Sequence, residues 1–324
     1  MNKIAILSVV AALATVYLLS TSSSSNTLES QFQSFLSEYG KSYNSQSEYE
    51  FRMQVFKKNM ENAKILGELN PLAEFGVTPF SDQTEEEMVK RMGDISDDQF
   101  DRSSVYSETA QPNGDIDWRK YHQPIQNQGS CGSCWAFAAT ATVEAYNHIG
   151  KGKNLKLSEQ QLVDCVTTCS GCNGGLALYG FDWLKTNDFC SLDSYKYTAR
   201  QGSCLKTCKG TGTKTNGSKL IDTSGGSAAV ESRILSQLNK GPVAISIDAS
   251  TWSSYRGGIM TSCGQNTNHA VVVSAFHQGS GSGSDQSYYV VRNSWGTGWG
   301  ESGYVRLAYN KNICNITRRP CFPL

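Results

Sequence analysis

Hydrophobic and polar positions divide the chain into a region of helical periodicity and a later region of strand-like runs. Apolar side chains recur at helical spacing through residues 28–64, and helices are also predicted at 135–150 and 158–165. Further on, short β-branched runs are separated by Gly, Ser and Asn turns. The predicted strands are 243–247, 269–275, 288–292 and 303–308. Helices followed by strands, without regular alternation, favour an α+β fold over a β-α-β arrangement.

The N-terminus has the pattern of an export signal. Lys3 precedes an apolar run at residues 4–19, and a stretch rich in serine and threonine follows at 20–25. The run is shorter than the ~20 residues that a membrane-spanning helix needs. We therefore predict a cleaved signal peptide at residues 1–22, with an uncleaved signal anchor as the alternative.

Two further segments lack any hydrophobic period. Residues 93–114 are polar and acidic, which predicts an exposed linker of the kind that proteases cut. The repeating Gly-Ser stretch at 279–284 is predicted to be a mobile hairpin tip. Both interpretations place these segments on the surface of the molecule.

Composition narrows the class of protein. The 324 residues carry 29 basic and 29 acidic side chains, so the charge balance does not indicate a nucleic-acid partner. The eleven cysteines all follow residue 130 and are Cys131, Cys134, Cys165, Cys169, Cys172, Cys190, Cys204, Cys208, Cys263, Cys314 and Cys321. In an exported chain this is typical of a disulfide-stapled domain, and an odd number leaves at least one thiol unpaired in a monomer. Sequons at Asn216 and Asn315 fit the same export route.

The sequence QGSCGSCWAF at residues 128–137 holds the strongest chemical signal. It places Cys134 at the start of a predicted helix, where free backbone N–H groups and the helix dipole favour a thiolate. A thiolate nucleophile needs a proton partner, and that partner needs an orienting group. His269 follows roughly 135 residues later, within the ~130–150 residues that separate such a pair in one class of cysteine protease. Asn293 can accept a hydrogen bond from the imidazole, and Trp295 can shield that bond from water.

Simpler interpretations of these cysteines remain open. Cys134 can be an ordinary structural cysteine. The pairs Cys131/Cys134 and Cys169/Cys172 can be zinc ligands, although the gap between the pairs is long and an exported chain disfavours free thiolates. The first pair can also be a thioredoxin-like redox motif, but no β-α-β unit frames it.

With these motifs in place, the chain from about residue 30 to its end resembles the papain-family cysteine proteases, close to the cathepsin L-like branch. The resemblance implies a papain-like two-domain α+β fold, with a helical left domain, a β-barrel-like right domain and an N-terminal helical propeptide. It implies that Cys134 is the nucleophile, His269 its general acid and base, and Asn293 the group that orients His269. The side-chain amide of Gln128 and the backbone N–H of Cys134 would form the oxyanion hole.

The same resemblance assigns the substrate-binding positions, which are Gly174, Gly175, Leu176, Ala177, Ser246, Thr267, Asn268, Ala270, Trp299 and Arg319. Trp299 matches the wall beyond the scissile bond, and the two glycines match the edge that hydrogen-bonds the substrate backbone. Arg319 matches the base of the pocket for the substrate residue two before the cut. Because a guanidinium seeks a carboxylate, we hypothesise that this pocket tolerates an acidic side chain; the alternative is that Arg319 turns into solvent.

The resemblance also implies three disulfides, namely Cys131–Cys172, Cys165–Cys204 and Cys263–Cys314. Four cysteines then remain besides Cys134, and four cysteines allow three pairings. By elimination, we predict the pairs Cys190–Cys208 and Cys169–Cys321.

The N-terminal region resembles the inhibitory propeptide of the family. Its helix pattern E-x3-R-x3-F-x2-N is matched by Glu48, Arg52, Phe56 and Asn59. Departures from the usual residues are Ala63, Gly67 and Thr78. We predict a propeptide, called the leader below, at residues 23–111, and a peptidase domain at 112–324 with a helical half at about 112–201 and a strand-rich half at about 202–324. The mature chain is predicted to start near residues 108–114.

The predicted function is a cysteine endopeptidase that is made as an inactive precursor. The chain has no histidine-pair insertion of the cathepsin B kind, which favours internal cleavage over trimming of chain ends. No metal or organic cofactor is implied. The expected partners are protein or peptide substrates and the leader itself, without nucleic acid or membrane after signal removal, and the expected state is a monomer in the secretory pathway, destined for a lysosome, a vacuole or the outside of the cell.

Two alternatives of other classes remain. A catalytically silent relative would only bind peptides, although such a relative would usually have lost one of the motif residues. A transpeptidase would use the same acyl-enzyme with an acceptor other than water. For the endopeptidase, self-cleavage at acidic pH is expected, because protonated leader carboxylates would loosen the leader.

Overall fold

The computed structural model describes residues 28–95, 104–281 and 283–324. The predicted signal peptide therefore lies outside the described residues. Within the described ranges, no helix has the length and apolar character needed to cross a membrane.

Helices form the body of the leader. α1 runs through residues 28–38, and α2 is Gln46–Leu69, with Ser45 as its side-chain N-cap. A short α3, Glu85–Val89, begins with a capping box at Thr84. The helical pattern predicted as one region is thus interrupted by a loop between α1 and α2.

α1 and α2 pack together through phenylalanine side chains. Phe32, Phe35 and Phe56 are fully buried, and their ring centroids lie 5.2–5.9 Å apart. They form a hydrophobic cluster of their own, separate from the clusters of the remaining chain. The leader therefore folds around its own hydrophobic centre.

The helical half of the peptidase region is centred on α4 (Cys134–Lys151), with α5 (Glu159–Cys165) and α6 (Ala177–Trp183) packed against it. α4 is closed by Gly152, which adopts a left-handed conformation with φ 65°. The helix predicted at 135–150 ends at a glycine, Gly150, but this is not the residue that stops it, because the left-handed glycine lies two residues later.

A ten-stranded sheet dominates the second half of the described chain. Its strands are β1 Ala73–Phe75, β2 Val105–Tyr106, β3 Ile116–Asp117, β4 Ser218–Ile221, β5 Val243–Ile247, β6 Tyr255–Met260, β7 His269–His277, β8 Tyr288–Arg292, β9 Tyr304–Ala308 and β10 Cys321–Pro323. Their spatial order is β1-β6-β9-β8-β7-β5-β10-β4-β2, with β3 beside β7. α7, Ser227–Leu238, packs against this sheet, and the Gly-Ser stretch at 279–284 lies in the connection between β7 and β8. Helices and strands segregate into the predicted α+β architecture.

The leader contributes the two edge strands of this sheet. β1 pairs antiparallel with β6, and β2 pairs parallel with β4. An edge strand presents unpaired backbone groups, and on both sides of this sheet the leader satisfies them. The prediction of an exposed linker at 93–114 is therefore wrong for β2 and for Asp94, whose side chain is 1% exposed.

Four disulfides link the described residues, and they join Cys131 to Cys172, Cys165 to Cys204, Cys190 to Cys208 and Cys263 to Cys314. All four are predicted pairs. The predicted Cys169–Cys321 pair is wrong, because Cys321 is a free thiol buried on β10. The sulfur of Cys169 packs instead beside Gly175 and the indole of Trp135.

Replacing Phe56 by alanine should destabilise the leader. Truncating a fully buried phenylalanine removes about 3–5 kcal/mol of stability, and each kcal/mol shifts the melting temperature of a small domain by about 4–8 °C. We expect calorimetry of the full chain at neutral pH to show the leader transition lowered by more than about 10 °C. Phe51→Ala is the matched control, because that side chain lies on the same helix but is 50% exposed. Equal transitions for both variants would contradict this account of the leader core.

Candidate active site

Cys134 is the first residue of α4 and is fully buried. Ser133, which precedes it, does not cap the helix with its side chain, because its hydroxyl lies 2.6 Å from the phenol of Tyr197. Tyr197 in turn donates to the backbone oxygen of Gln128 at 2.7 Å. Because the Ser133 side chain does not cap the helix, the backbone N–H of Trp135 can approach the sulfur of Cys134. The helix N-terminus thus holds the thiol against backbone donors, at the position that the sequence predicts.

His269 begins β7 and is also fully buried. Its Nε2 lies 2.8 Å from Oδ1 of Asn293. Because an amide oxygen can only accept, Nε2 carries the proton and Nδ1 is the basic nitrogen of the neutral ring. Among the described residues, Nδ1 has no hydrogen-bond partner. The ring therefore has one nitrogen fixed by Asn293 and one nitrogen available for proton transfer.

The thiol of Cys134 lies against the start of β7, at the boundary between the two halves of the molecule. The backbone N–H of Ala270, the residue after His269, approaches the sulfur of Cys134. A second N–H comes from Gly93 of the leader. The fold thus brings together two residues that are far apart in sequence, and the leader lies on top of them.

The titration state of this pair differs from the thiolate that the helix position favours. Burial raises the pKa of the Cys134 thiol to about 12, although the nearby N–H groups lower it. Burial likewise lowers the pKa of His269 to about 4, against the effect of the Asn293 hydrogen bond. Both groups are therefore neutral at neutral pH. The reason is that exclusion of water outweighs the helix dipole while the cleft is covered.

Gln128 holds a carbonyl group of the leader. Its Nε2 donates to the backbone oxygen of Arg91 at 2.7 Å and to that of Cys131 at 2.9 Å. Its Oε1 accepts from the hydroxyl of Ser294 at 2.7 Å, which fixes the orientation of the amide. The predicted oxyanion donor thus binds a peptide carbonyl at the site.

The leader backbone runs through the cleft next to the predicted substrate edge. Gly175 donates its N–H to the oxygen of Gly93 at 2.9 Å, and Asp94 donates its N–H to the oxygen of Asn268 at 3.0 Å. A Cβ atom at Gly93 would lie 1.9 Å from the backbone oxygen of Gly132, so no larger residue fits this path. At Gly174, which has φ 124°, a Cβ atom would meet Ile95 of the leader at 2.7 Å.

The side chain of Asp94 enters the pocket predicted for substrate. Its Oδ2 lies 2.8 Å from Nη2 of Arg319, and its Oδ1 accepts from the hydroxyl of Ser246 at 2.7 Å. Thr267 lies at the edge of hydrogen-bonding distance, with its Oγ1 3.5 Å from the same Nη2. A small cavity beside these groups is bounded by Arg319 and Ser246 and is lined otherwise by Leu176, Ala177, Leu178, Leu220, Ile245, Ala270 and Cys321. The alternative that Arg319 turns into solvent is wrong, because its side chain is 5% exposed.

Tryptophan side chains enclose the imidazole on the opposite side. The ring of Trp295 lies 5.1 Å from that of His269, between their centroids. Trp299 stacks on Trp252 at 5.8 Å and donates its Nε1–H to the backbone oxygen of Trp252 at 2.8 Å. The leader covers this wall, since Phe80 meets Trp295 edge-on at 5.6 Å. Trp299 itself is fully buried and contacts the rings of Trp252, Tyr255 and Trp295.

The zinc interpretation of the CxxC pairs does not fit this structure. Cys131 is joined to Cys172, so one sulfur of each pair is oxidised. In the described ranges, no group of three His, Cys, Asp or Glu side chains is placed to hold a metal ion.

Residues of the leader that occupy the cleft were missed by sequence analysis. Arg91, Gly93 and Asp94 lie where the hydrophobic pattern ends, and the polar composition that follows indicated a linker. The sequence feature that marks them is a glycine, Gly93, directly before an acidic residue, Asp94, where the hydrophobic pattern of the leader ends. That signal is too short to be recognised without the fold.

The known proteins that this chain resembles are consistent with the site described above. The family model for papain family cysteine proteases matches residues 112–324, and the model for the cathepsin propeptide inhibitor domain matches residues 32–88. The chain is 34% identical over 300 residues to a cysteine proteinase of Trypanosoma brucei brucei, covering 89% of this chain and 65% of that one. It is 33% identical over 315 residues to cysteine proteinase 15A of Pisum sativum, covering 89% and 84%.

Solved structures show the same relationship. The digestive procathepsin L2 proteinase from the larval midgut of Tenebrio molitor matches with a TM-score of 0.80 and 31% identity, covering 91% of this chain and 99% of that one. The predicted papain-like α+β fold with N-terminal propeptide helices is confirmed. The chain therefore belongs to the papain family of cysteine proteases and is synthesised as a zymogen that carries its own inhibitory propeptide.

Proposed function

We propose that the protein is an endopeptidase that cleaves internal peptide bonds through the thiol of Cys134. One observation carries this proposal. The amide of Gln128 holds a peptide carbonyl, that of Arg91, while the backbone of Gly93 lies on the thiol. A peptide of another protein could be bound by the same donors once the leader has left.

The proposed chemistry assigns one role to each residue. Nδ1 of His269 takes the thiol proton, and the thiolate of Cys134 attacks the carbonyl carbon of the substrate. Nε2 of Gln128 and the backbone N–H of Cys134 stabilise the oxyanion. His269 then protonates the leaving amine, which leaves a thioester, and afterwards deprotonates the water that hydrolyses it. Asn293 holds the imidazole in the required tautomer throughout.

We propose domain boundaries after residues 22 and 111, with cleavage near residues 108–114. The matches of the propeptide and peptidase models support this division, and residues 111 and 113–115 are exposed. The four disulfides support passage through the secretory pathway, and we propose a monomer released to a lysosome, a vacuole or the exterior. Asn216 is exposed, whereas the side-chain amide of Asn315 donates to Gln265 at 2.9 Å, which favours Asn216 as the glycosylated sequon.

Acid release of the leader is proposed to depend on Glu87. Arg52 donates to its two oxygens at 2.6 and 2.8 Å and so lowers the pKa of Glu87. A carboxyl with a lowered folded-state pKa stabilises the fold above its unfolded pKa and loses that contribution as pH falls through its folded pKa. The pair therefore supports the leader at neutral pH and weakens below the ordinary glutamate value of 4.5.

Asp94 titrates in the opposite sense. Burial raises its pKa to about 6, outweighing the attraction of Arg319. A carboxyl whose pKa is raised on burial opposes the buried state above that pKa, so protonation of Asp94 favours the docked leader. Acidification thus releases the leader through groups such as Glu87 and not through every leader carboxylate.

The proposed function is tested with the mature protein and an internally cleaved peptide. Gln128→Ala should lower kcat by about 100- to 1000-fold, since one oxyanion donor is lost, and Cys134→Ser should abolish turnover. Gln123→Ala is the control, because this glutamine bonds to Asn154 on the surface and should retain activity. Mass spectrometry of the products separates hydrolysis from transfer to another amine. Full turnover by the Cys134→Ser protein would refute the mechanism.

The covered thiol should resist alkylation. Because burial raises the pKa of Cys134, iodoacetamide at pH 7 should label it at least about 100-fold more slowly in the precursor than in the mature protein. Peptide mapping measures the label at this residue alone. A precursor carrying Phe56→Ala, held at a temperature above its own leader transition and below that of the parent, should react at the mature rate. Equal labelling of intact precursor and mature protein would show that the leader does not protect the thiol.

The role of Glu87 is measured in a Cys134→Ser precursor, which removes self-cleavage from the experiment. In the parent, the melting temperature of the leader should fall between pH 7 and pH 4. With Glu87→Gln it should be lower at pH 7 and change less on acidification, because the ionised partner of Arg52 is absent. Glu85→Gln, on the same short helix, should keep the parental profile. An undiminished pH dependence in Glu87→Gln would assign acid release to other groups.

A further inference from the structure

The pocket occupied by Asp94 has a cation at its base and apolar walls. The guanidinium of Arg319 contacts the carboxylate of Asp94 at 2.8 Å, the backbone oxygen of Ile95, and the hydroxyl of Thr267 at 3.5 Å. Its Nε has no hydrogen-bond partner among the described residues. The side chain is 5% exposed, so water does not substitute for the missing partner in this state.

Most of the partners of Arg319 leave together with the leader. Asp94 and Ile95 both belong to the leader, and Thr267 is the remaining contact named above. A buried charge that loses its partner is strongly unfavourable, whereas a carboxylate restores the pairing. Arginine cannot escape this by losing its proton, because its pKa is too high. The emptied pocket is therefore built to receive an anion.

We propose that Arg319 makes this pocket selective for an acidic side chain at the substrate residue two before the scissile bond, and that Asp94 occupies the pocket as an internal mimic of such a residue. This inference rests on the proposed endopeptidase function. It names the substrate class of that site, namely peptides with Glu or Asp at this position. Ser246 contributes a second donor to the carboxylate, at 2.7 Å from the other oxygen of Asp94.

Comparison of Glu with Gln isolates the contribution of charge. A glutamine amide can place its oxygen on Arg319 and its NH2 group on the hydroxyl of Ser246, so it has the same shape and can satisfy the same hydrogen bonds. What it lacks is the negative charge opposite the guanidinium. Any difference in cleavage between the two substrates therefore reports on pairing with Arg319 and not on size.

The preference should also depend on pH. The charged or titratable groups around Asp94 are Arg319 and Arg318, together with the thiols of Cys134 and Cys321. Burial raises the pKa of both thiols, which are neutral at neutral pH, so the arginines provide the charge that faces the carboxylate. Burial raises the pKa of Asp94 itself to about 6. By the linkage stated for Asp94, a carboxyl in this pocket is bound better once it is protonated, so cleavage of the Glu peptide should gain on that of the Gln peptide as pH falls through about 6, while the charge of Arg319 matters most above this pH.

The test uses the mature protein and three fluorogenic peptides that differ at this position alone, with Glu, Gln or Leu. kcat/KM is measured at pH 7.5 and 5 for the parent, Arg319→Gln and Arg318→Gln. We expect the Glu/Gln ratio of the parent at pH 7.5 to fall by at least about tenfold in Arg319→Gln, as for a lost charge-assisted hydrogen bond. Arg318→Gln removes the same charge from the neighbouring residue and should keep the parental ratio within about threefold. In the parent, the ratio should be larger at pH 5 than at pH 7.5, because the pocket binds the protonated carboxyl better.

A fall of less than about threefold in the Glu/Gln ratio of Arg319→Gln would overturn the inference, and so would an equal fall in Arg318→Gln, which would show a general field effect. The Leu peptide confirms that Arg319→Gln is folded and active. It also separates the two proposals. If the parent cleaves the Leu peptide but the ratio does not respond to Arg319, the pocket assignment alone fails. If the parent cleaves none of the peptides and an epoxide inhibitor does not label Cys134, the endopeptidase function itself fails.

Discussion

The close approach of the leader backbone to the cleft at Gly93 is the contact on which the rest of the site depends. A Cβ atom there would lie 1.9 Å from the oxygen of Gly132, so the fit requires two glycines face to face. This contact lies beside Cys134, and burial keeps both Cys134 and His269 in their neutral forms in this state. It also brings the carbonyl of Arg91 to Gln128. One backbone contact thus sets the path along which the leader blocks the cleft.

The leader is held at several places by different physical means. Its core of phenylalanines gives it a fold of its own, and its edge strands β1 and β2 extend the sheet of the peptidase half. The segment in the cleft lies between these anchors and is short, so the anchors determine its position along the cleft. Glu87 and Asp94 have opposite responses to acid because one carboxyl lies at a partly exposed ion pair and the other in a buried pocket. The direction of each pKa shift follows from whether the ion pair with an arginine or the burial of the carboxylate has the larger effect.

Features that depend on residues close together in the sequence were predicted correctly. The position of Cys134 at a helix start and the order of helices and strands are recovered in the structure. Three cysteine pairs were predicted from the family resemblance and Cys190–Cys208 by elimination, and these four are also found. The sequence could not show that Gly152 rather than Gly150 is left-handed, because either glycine can stop a helix. The Cys169–Cys321 pair failed because elimination assumes that every cysteine but one is oxidised, whereas Cys321 lies buried as a thiol on β10.

The larger errors came from contacts between distant parts of the chain. Residues 93–114 have the composition of a linker, yet Asp94 is buried because a cation 225 positions away lies at the base of the pocket it enters. The thiol of Cys134 is at a helix N-terminus, yet burial beneath the leader decides its pKa. Neither effect is visible in a local window of sequence. Motif residues can be found from their spacing in the sequence, but their ionisation depends on whether the complete fold excludes water from the site.

Arg319 illustrates how precursor and mature protein can place different demands on one residue. In the precursor, its charge is matched by Asp94, so the pair is compatible with a buried pocket. In the mature protein, the same guanidinium would have lost this carboxylate and would depend on solvent or on a ligand for its counter-charge. An apolar side chain at this position would stabilise the fold at least as well as the arginine does. Its presence at the base of a substrate pocket is therefore better explained by the ligand that it selects than by the stability of the fold.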